Sequence, residues 1–180
     1  MSMNTYKLNY YIFLDELNEK IIKNIQNLKI RKNNLRLIIS EKIFFSISDF
    51  IKHTKIPFFI IDNIKLATKH RAHGIFLTSR NKSLINIPIN SQRIEVIGSA
   101  HNQYEYFIKE KQQCKTIFLS PIFYNEKYSK NKILNIIKFN LITLNWKNNI
   151  GALGGIKFKN LKLINLTRSK SIGVKSLVTA

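Results

Sequence analysis

Cysteine is almost missing from this chain of 180 residues. The single Cys114 excludes an intramolecular disulfide and any cysteine-based zinc cluster, which suits a reducing cytoplasm. Long apolar runs are missing too. Tyr10-Tyr11-Ile12-Phe13-Leu14 is followed at once by Asp15 and Glu16, so this stretch reads as a first strand rather than a signal peptide or membrane span. The expected location is the cytoplasm. Acidic side chains are scarce, 10 against 30 lysines and arginines, for a formal charge of +20. Such an imbalance calls first for nucleic acid, anionic membrane or acidic substrates. The lysines, however, alternate with Ile and Asn along the whole chain, as a compositional bias would place them, and no helix-turn-helix, zinc-finger or RNP-type aromatic pattern accompanies them. This argues against nucleic acid as the partner. A homo-oligomer is compatible with the sequence.

At 44% hydrophobic residues the chain can bury one sizeable core, and a single domain over residues 1–180 is expected. Strand-like and helix-like patterns alternate along it. Tyr6 to Leu14 reads as a strand, Asp15 as an N-cap, and Leu17, Ile21, Ile22, Ile25 and Leu28 recur at helical spacing. Leu35 to Ser40 precedes a helix through Phe45, Ile47, Phe50 and Ile51, limited by Pro57. Phe58 to Ile61, Gly74 to Leu77, Arg93 to Ile97, Thr116 to Ser120, Ile150 to Leu153 and Ile172 to Val174 are further strand signals. Helical patterns fall between them at Ile64 to His70, Gln103 to Lys111, Ile133 to Leu144, and through Leu161, Ile164 and Leu166.

Repeated βα units with continuously apolar strands point to a parallel sheet. Eight of them predict a short (β/α)8 barrel with a truncated or missing last helix; a doubly wound open sheet is the alternative. In a barrel, function sits at the C-terminal strand ends. There the apolar run ending in Gly154-Gly155 and the Gly173-Val174 segment fall after strands seven and eight, where backbone N–H groups at a strand-to-helix turn can hold a phosphate.

Ile60-Ile61-Asp62-Asn63-Ile64-Lys65-Leu66-Ala67, His73-Gly74-Ile75-Phe76-Leu77, Ile97-Gly98-Ser99-Ala100-His101-Asn102, Leu119-Ser120-Pro121-Ile122-Phe123 and Ala152-Leu153-Gly154-Gly155-Ile156 follow one another in this order. From about Leu35 to Ser176 the chain thereby resembles the thiamine phosphate synthase family, which includes thiazole tautomerase relatives. The resemblance implies a transferase of thiamine biosynthesis, joining a hydroxymethylpyrimidine diphosphate to a thiazole phosphate with magnesium assistance. It also implies roles for individual residues. Lys42 would neutralise pyrophosphate, Asp62 would be the magnesium-associated aspartate, and Ser99 would lie on the pyrimidine side. Gly155 and Gly173, with Gly154 and Val174, would hold the thiazole phosphate through backbone N–H groups.

In the loop from Tyr124 to Asn131, Asn125 and Ser129 are substrate-binding candidates, and Lys127 or Lys130 stands in for the family lysine. His101 is the natural general acid or base, since imidazole titrates near neutral pH. His53, His70 and His73 are assigned no chemistry, and Glu41 reads as a solvated or ion-paired neighbour of Lys42. Four positions depart from the family pattern: Ile38 and Ser40 replace Gln and Arg, Ile61 replaces an asparagine, and Asn81 occupies the second acidic metal position. Charge-assisted contacts are worth about 1.5–3 kcal/mol each, so a diphosphate and magnesium site altered in this way implies a weakened synthase. The alternatives are a tautomerase-like isomerase and a non-catalytic barrel that binds a phosphorylated metabolite.

Overall fold

A computed structural model of the chain describes residues 8–28, 30–84, 94–126 and 128–179. Eight parallel strands close into a barrel in strict sequence order, β1 pairing with both β2 and β8. The strands are β1 (Asn9–Leu14), β2 (Leu35–Ile39), β3 (Phe58–Ile61), β4 (Gly74–Leu77), β5 (Glu95–Ala100), β6 (Thr116–Leu119), β7 (Asn149–Leu153) and β8 (Ser171–Val174). The helices are α1 (Glu19–Asn27), α2 (Glu41–Thr54), α3 (Ile64–Lys69), α4 (Gln103–Lys111), α5 (Asn135–Ile142) and the single turn α6 (Ser176–Thr179). This is the expected (β/α)8 barrel with its last helix cut short. Three residues of the expected strands, Tyr6, Lys7 and Arg93, lie outside the described residues. Among the described residues no helix is long and apolar enough to cross a membrane.

One expectation is corrected. Asp15 does not cap α1; Asn18 does, its Oδ1 accepting the Ile21 N–H at 2.9 Å, while the Asp15 carboxylate is drawn to the Lys175 ammonium. The helix expected after β7 spans Phe158–Leu166 and is of the 3-10 type. Its buried residues, Leu161 and Ile164, are three apart, which matches three residues per turn.

Each strand is apolar on both faces because one meets the helices and the other fills the barrel. Tyr11, Ile38, Phe59, Phe76, Ile97 and Phe118 form the interior cluster, with Phe13, Ile61 and Leu153 packed on it. Side chains alternate along a strand, so the pairing register sorts the interior into layers. Ile38, Phe76, Phe118 and Gly173 come from the even strands. Above them, from the odd strands, lie Phe13, Ile61, Ser99 and Leu153. This upper layer is the floor of the C-terminal mouth, three apolar side chains and one hydroxyl. Ser99 thus lies in the layer that faces the mouth.

Candidate active site at the barrel mouth

A cavity of about 520 Å³ opens over the ends of β6, β7, β8 and β1. Phe13 and Leu153 give it an apolar base; Ser120, Asn125, Gly154, Gly155, Gly173, Val174 and Lys175 stand around it. The two expected phosphate-holding segments therefore share one cavity, with Asn125 facing them. Gly154 and Gly155 adopt φ values of +90° and +72°, a region that side chains rarely enter. A Cβ on Gly155 would lie 2.3 Å from the Phe123 carbonyl oxygen, so glycine here lets the turn after β7 press against the loop after β6. That loop is bound to the turn by Phe123 N–H to the Gly154 carbonyl (3.1 Å) and Ile122 N–H to the Leu153 carbonyl (3.0 Å). Asp15, read in the sequence as an N-cap, and Lys175 form an ion pair on the cavity rim.

His101 follows β5 and does not line this cavity; its partner does. Glu105 Oε2 accepts the His101 backbone N–H at 2.7 Å and meets Nδ1 at 2.9 Å, while Nε2 lies 3.1 Å from the hydroxyl of Tyr128, a cavity residue. An ionised carboxylate can only accept, so Nδ1 donates to Glu105, and in the neutral imidazole Nε2 then accepts from the Tyr128 O–H. The arrangement is a base held in one tautomer behind a phenol. Asn102 caps α4, its Oδ1 accepting the Glu105 N–H at 2.9 Å. Glu105 was legible as the fourth residue of an Asn-x-x-Glu start to a helix; Tyr128 carried no pattern of its own.

On the opposite side, Asp62 sits at the end of β3 with φ +52°. Its Oδ1 accepts the Thr78 N–H (3.0 Å) and the Asn81 side-chain amide (3.0 Å), and its Oδ2 accepts the Thr78 hydroxyl (2.6 Å). The two expected metal positions, 62 and 81, are thus brought together, but Asn81 presents N–H to the carboxylate. A magnesium ion needs near-octahedral oxygen ligands and is usually held by one or two carboxylates. The residues present do not fit it: both Asp62 oxygens already accept from donors, and among the described residues no group of three His, Cys, Asp or Glu converges.

An open cleft beside this aspartate is lined by Thr78, Ser79, Arg80, Asn81, Lys82 and Ser83. Beneath it Lys109 is fully buried, donating to the carbonyls of Thr78 (2.7 Å) and Asn81 (2.7 Å) and to Gln112 Oε1 (2.9 Å). Burial pulls its pKa down from the usual lysine value. No sequence signal singled it out.

The remaining expected residues are dispersed. Lys42 is exposed in the first turn of α2, at the end of β2. Glu41 beside it accepts from the Asn63 amide at 2.9 Å. Ser129 donates to Asn131 Oδ1 (2.5 Å) and Lys130 is exposed in a short 3-10 turn; neither lines the cavity. Lys127 lies outside the described residues.

Comparison with known proteins fits this geometry. The chain is 28% identical to a thiamine-phosphate synthase of Flavobacterium psychrophilum over 129 residues, 68% of this chain and 63% of that protein. The matched stretch thus spans less than two thirds of the relative. A thiamine phosphate pyrophosphorylase from Pyrococcus furiosus superposes with a TM-score of 0.66 at 14% identity, covering 95% of this chain and 87% of the other. A deoxyribose phosphate aldolase from Aeropyrum pernix gives 0.63 at 9% identity, covering 97% and 87%. At such identities these structural matches establish the barrel alone. The family described as thiamine monophosphate synthase matches residues 8–178, nearly the whole described barrel, and the chain belongs to that family.

Proposed function

We propose that this protein joins a hydroxymethylpyrimidine diphosphate to a thiazole phosphate. The observation that carries the reading is the glycine-walled cavity of about 520 Å³, a size suited to a small ligand, at the C-terminal mouth. Backbone groups of Gly154, Gly155, Gly173 and Val174 bound its phosphate end, and Phe13 and Leu153 offer flat apolar surface for a ring. In the reaction the C–O bond between the pyrimidine methylene and the diphosphate breaks, its electron pair leaving on the diphosphate. The thiazole nitrogen lone pair forms the new C–N bond. No proton is gained or lost. The residues therefore have two tasks, aligning the rings and stabilising charge that develops on the leaving group. Ser99 and Ser120 offer hydroxyls at the mouth, and Lys42 offers a cation beyond β2.

A second reading rests on a separate observation. The His101 and Tyr128 pair is a proton-transfer device that the synthase step does not require. It favours a tautomerase-like proton shift on the thiazole, with Tyr128 facing the ring and His101 as its base. One experiment separates the two. Protein with both substrates, with magnesium and with chelator, is assayed for thiamine phosphate; thiazole phosphate alone is followed by NMR in deuterated water. Condensation insensitive to Tyr128→Phe supports the synthase. Deuterium exchange lost in Tyr128→Phe, without condensation, supports the isomerase. If neither reaction occurs and thiazole phosphate leaves the melting temperature unchanged, the cavity assignment fails.

A further inference from the structure

The Asp62 side of the mouth is built around fixed cations rather than around a metal. A lysine with no exposed surface is rare and needs partners for its charge. Lys109 has three N–H groups and three acceptors, Thr78 O, Asn81 O and Gln112 Oε1, which is the complement of an ammonium. Room for it is made by Gly98, where a Cβ would come 2.8 Å from Lys109 Cδ. Two of its three acceptors are main-chain carbonyls of the segment 78–83, and Gln112 adds bonds to the carbonyls of Asn81 (3.1 Å) and Ser83 (2.7 Å). From the barrel side Asp62 ties the same segment through Thr78 and Asn81. Lys82 Nζ stands 5.7 Å over the Tyr104 ring of α4.

The segment is therefore clamped on three sides by groups of this chain, the organising work that a divalent cation does when it gathers carboxylates and carbonyls. What it presents to the cleft is Arg80 and Lys82 against the single carboxylate of Asp62, which itself accepts three hydrogen bonds. With no carboxylate pair to capture a metal, the charge offered to a ligand is positive and built in. Arg80 adds the planar fork that suits phosphate oxygens.

We propose that this cleft is a metal-independent site for a diphosphate group, with Arg80 and Lys82 as its cations, and with Lys109 and Asp62 as positioning residues. This rests on the reading that the mouth takes a diphosphate substrate, and it removes the divalent ion from that reading.

The probe is inorganic pyrophosphate, titrated calorimetrically into the protein in chelator and in magnesium, with manganese binding to the protein alone followed by EPR. Expected are pyrophosphate binding in chelator, a loss of tenfold or more in Arg80→Gln/Lys82→Gln, and no manganese taken up. Lys109→Met is expected to weaken pyrophosphate while leaving thiazole phosphate affinity unchanged, a split that general destabilisation would not produce. If that variant does not fold, Gln112→Met serves in its place.

Manganese uptake abolished by Asp62→Asn would overturn the proposal. So would pyrophosphate binding seen only with magnesium, absence of binding in both conditions, or binding indifferent to Arg80 and Lys82. Pyrophosphate binding in chelator without thiamine phosphate synthesis sinks the synthase reading and leaves this site standing. Synthesis that requires magnesium, with no binding in chelator, does the reverse.

Discussion

Replacing Gly155 by alanine tests the packing that shapes the phosphate end of the cavity. The added methyl would sit 2.3 Å from the Phe123 carbonyl oxygen, 2.5 Å from its carbon and 2.6 Å from the Tyr124 oxygen, all main-chain atoms that cannot rotate away. Relief requires the loop after β6 to retreat, which weakens the two hydrogen bonds from Ile122 and Phe123 to the turn after β7. A left-handed alanine costs about 1–2 kcal/mol, overpacking about 1–3, and each weakened hydrogen bond about 0.5–1.5. Allowing for partial relaxation, the loss should be about 3–5 kcal/mol, or roughly 6–20 °C in Tm for a chain of this size.

Gly173→Ala is the control. Its methyl would meet the side chains of Leu153 (2.7 Å) and Phe13 (2.9 Å), which can turn aside, and its φ is not in the left-handed region. Thermal unfolding of both variants, with and without thiazole phosphate, reads the difference. The reasoning is refuted if Gly155→Ala melts within about 2 °C of the parent chain, a shift that corresponds to less than about 1 kcal/mol, or no lower than Gly173→Ala.

Three further outcomes follow from the geometry. Asp15→Asn should tighten thiazole phosphate binding several-fold by removing a carboxylate that competes for Lys175, while stability changes by less than about 1 kcal/mol because the pair is exposed; calorimetric titration checks the first part and a melting curve the second. Glu105→Gln should slow any proton exchange on the ring more than it weakens binding, since the carboxylate fixes the tautomer of His101 without touching the cavity; NMR exchange rates set against the dissociation constant show the split. Burial pushes the Cys114 thiol from its ordinary 9.0 up to about 12. The folded value is the higher one, so this stabilisation is complete below pH 9 and is lost as pH rises from 9 through about 12, at most about 4 kcal/mol. Cys114→Ala should flatten that alkaline decline in a denaturation series, and the parent thiol should resist alkylating reagents while folded.

The barrel was readable because its strands are buried on both faces, so runs such as Phe58 to Ile61 and Ile117 to Leu119 stand out as unbroken apolar stretches. Gly154 and Gly155 were readable because a positive φ leaves few alternatives to glycine. The side chains that organise the mouth were harder to read. Lys109 resembles any lysine on an amphipathic helix; only the carbonyls of a loop nearly 30 residues earlier mark it as internal. Asp15 has the composition of an N-cap, yet a partner 160 residues away sets its role. Tyr128 gains meaning only from the imidazole 27 positions before it. Local propensity carries the elements, while the site depends on which strand ends the closed sheet makes neighbours.

Closure of the sheet between β8 and β1 has a consequence for motion. Their four-pair register, the Asn24 amide on the Val178 carbonyl (2.9 Å, 154 residues apart) and the ion pair of Asp15 with Lys175 all join the two ends of the chain. Such contacts close the longest loops in the molecule and so bear the largest entropic cost of formation. They make this seam the natural place for the barrel to open locally. One wall of the cavity stands on the seam. A ligand that bridges Phe13 of β1 and Gly173 of β8 would therefore act as a rivet, and amide hydrogens of β1 and β8 should gain more protection from exchange on its binding than those of β3 or β4, across the mouth.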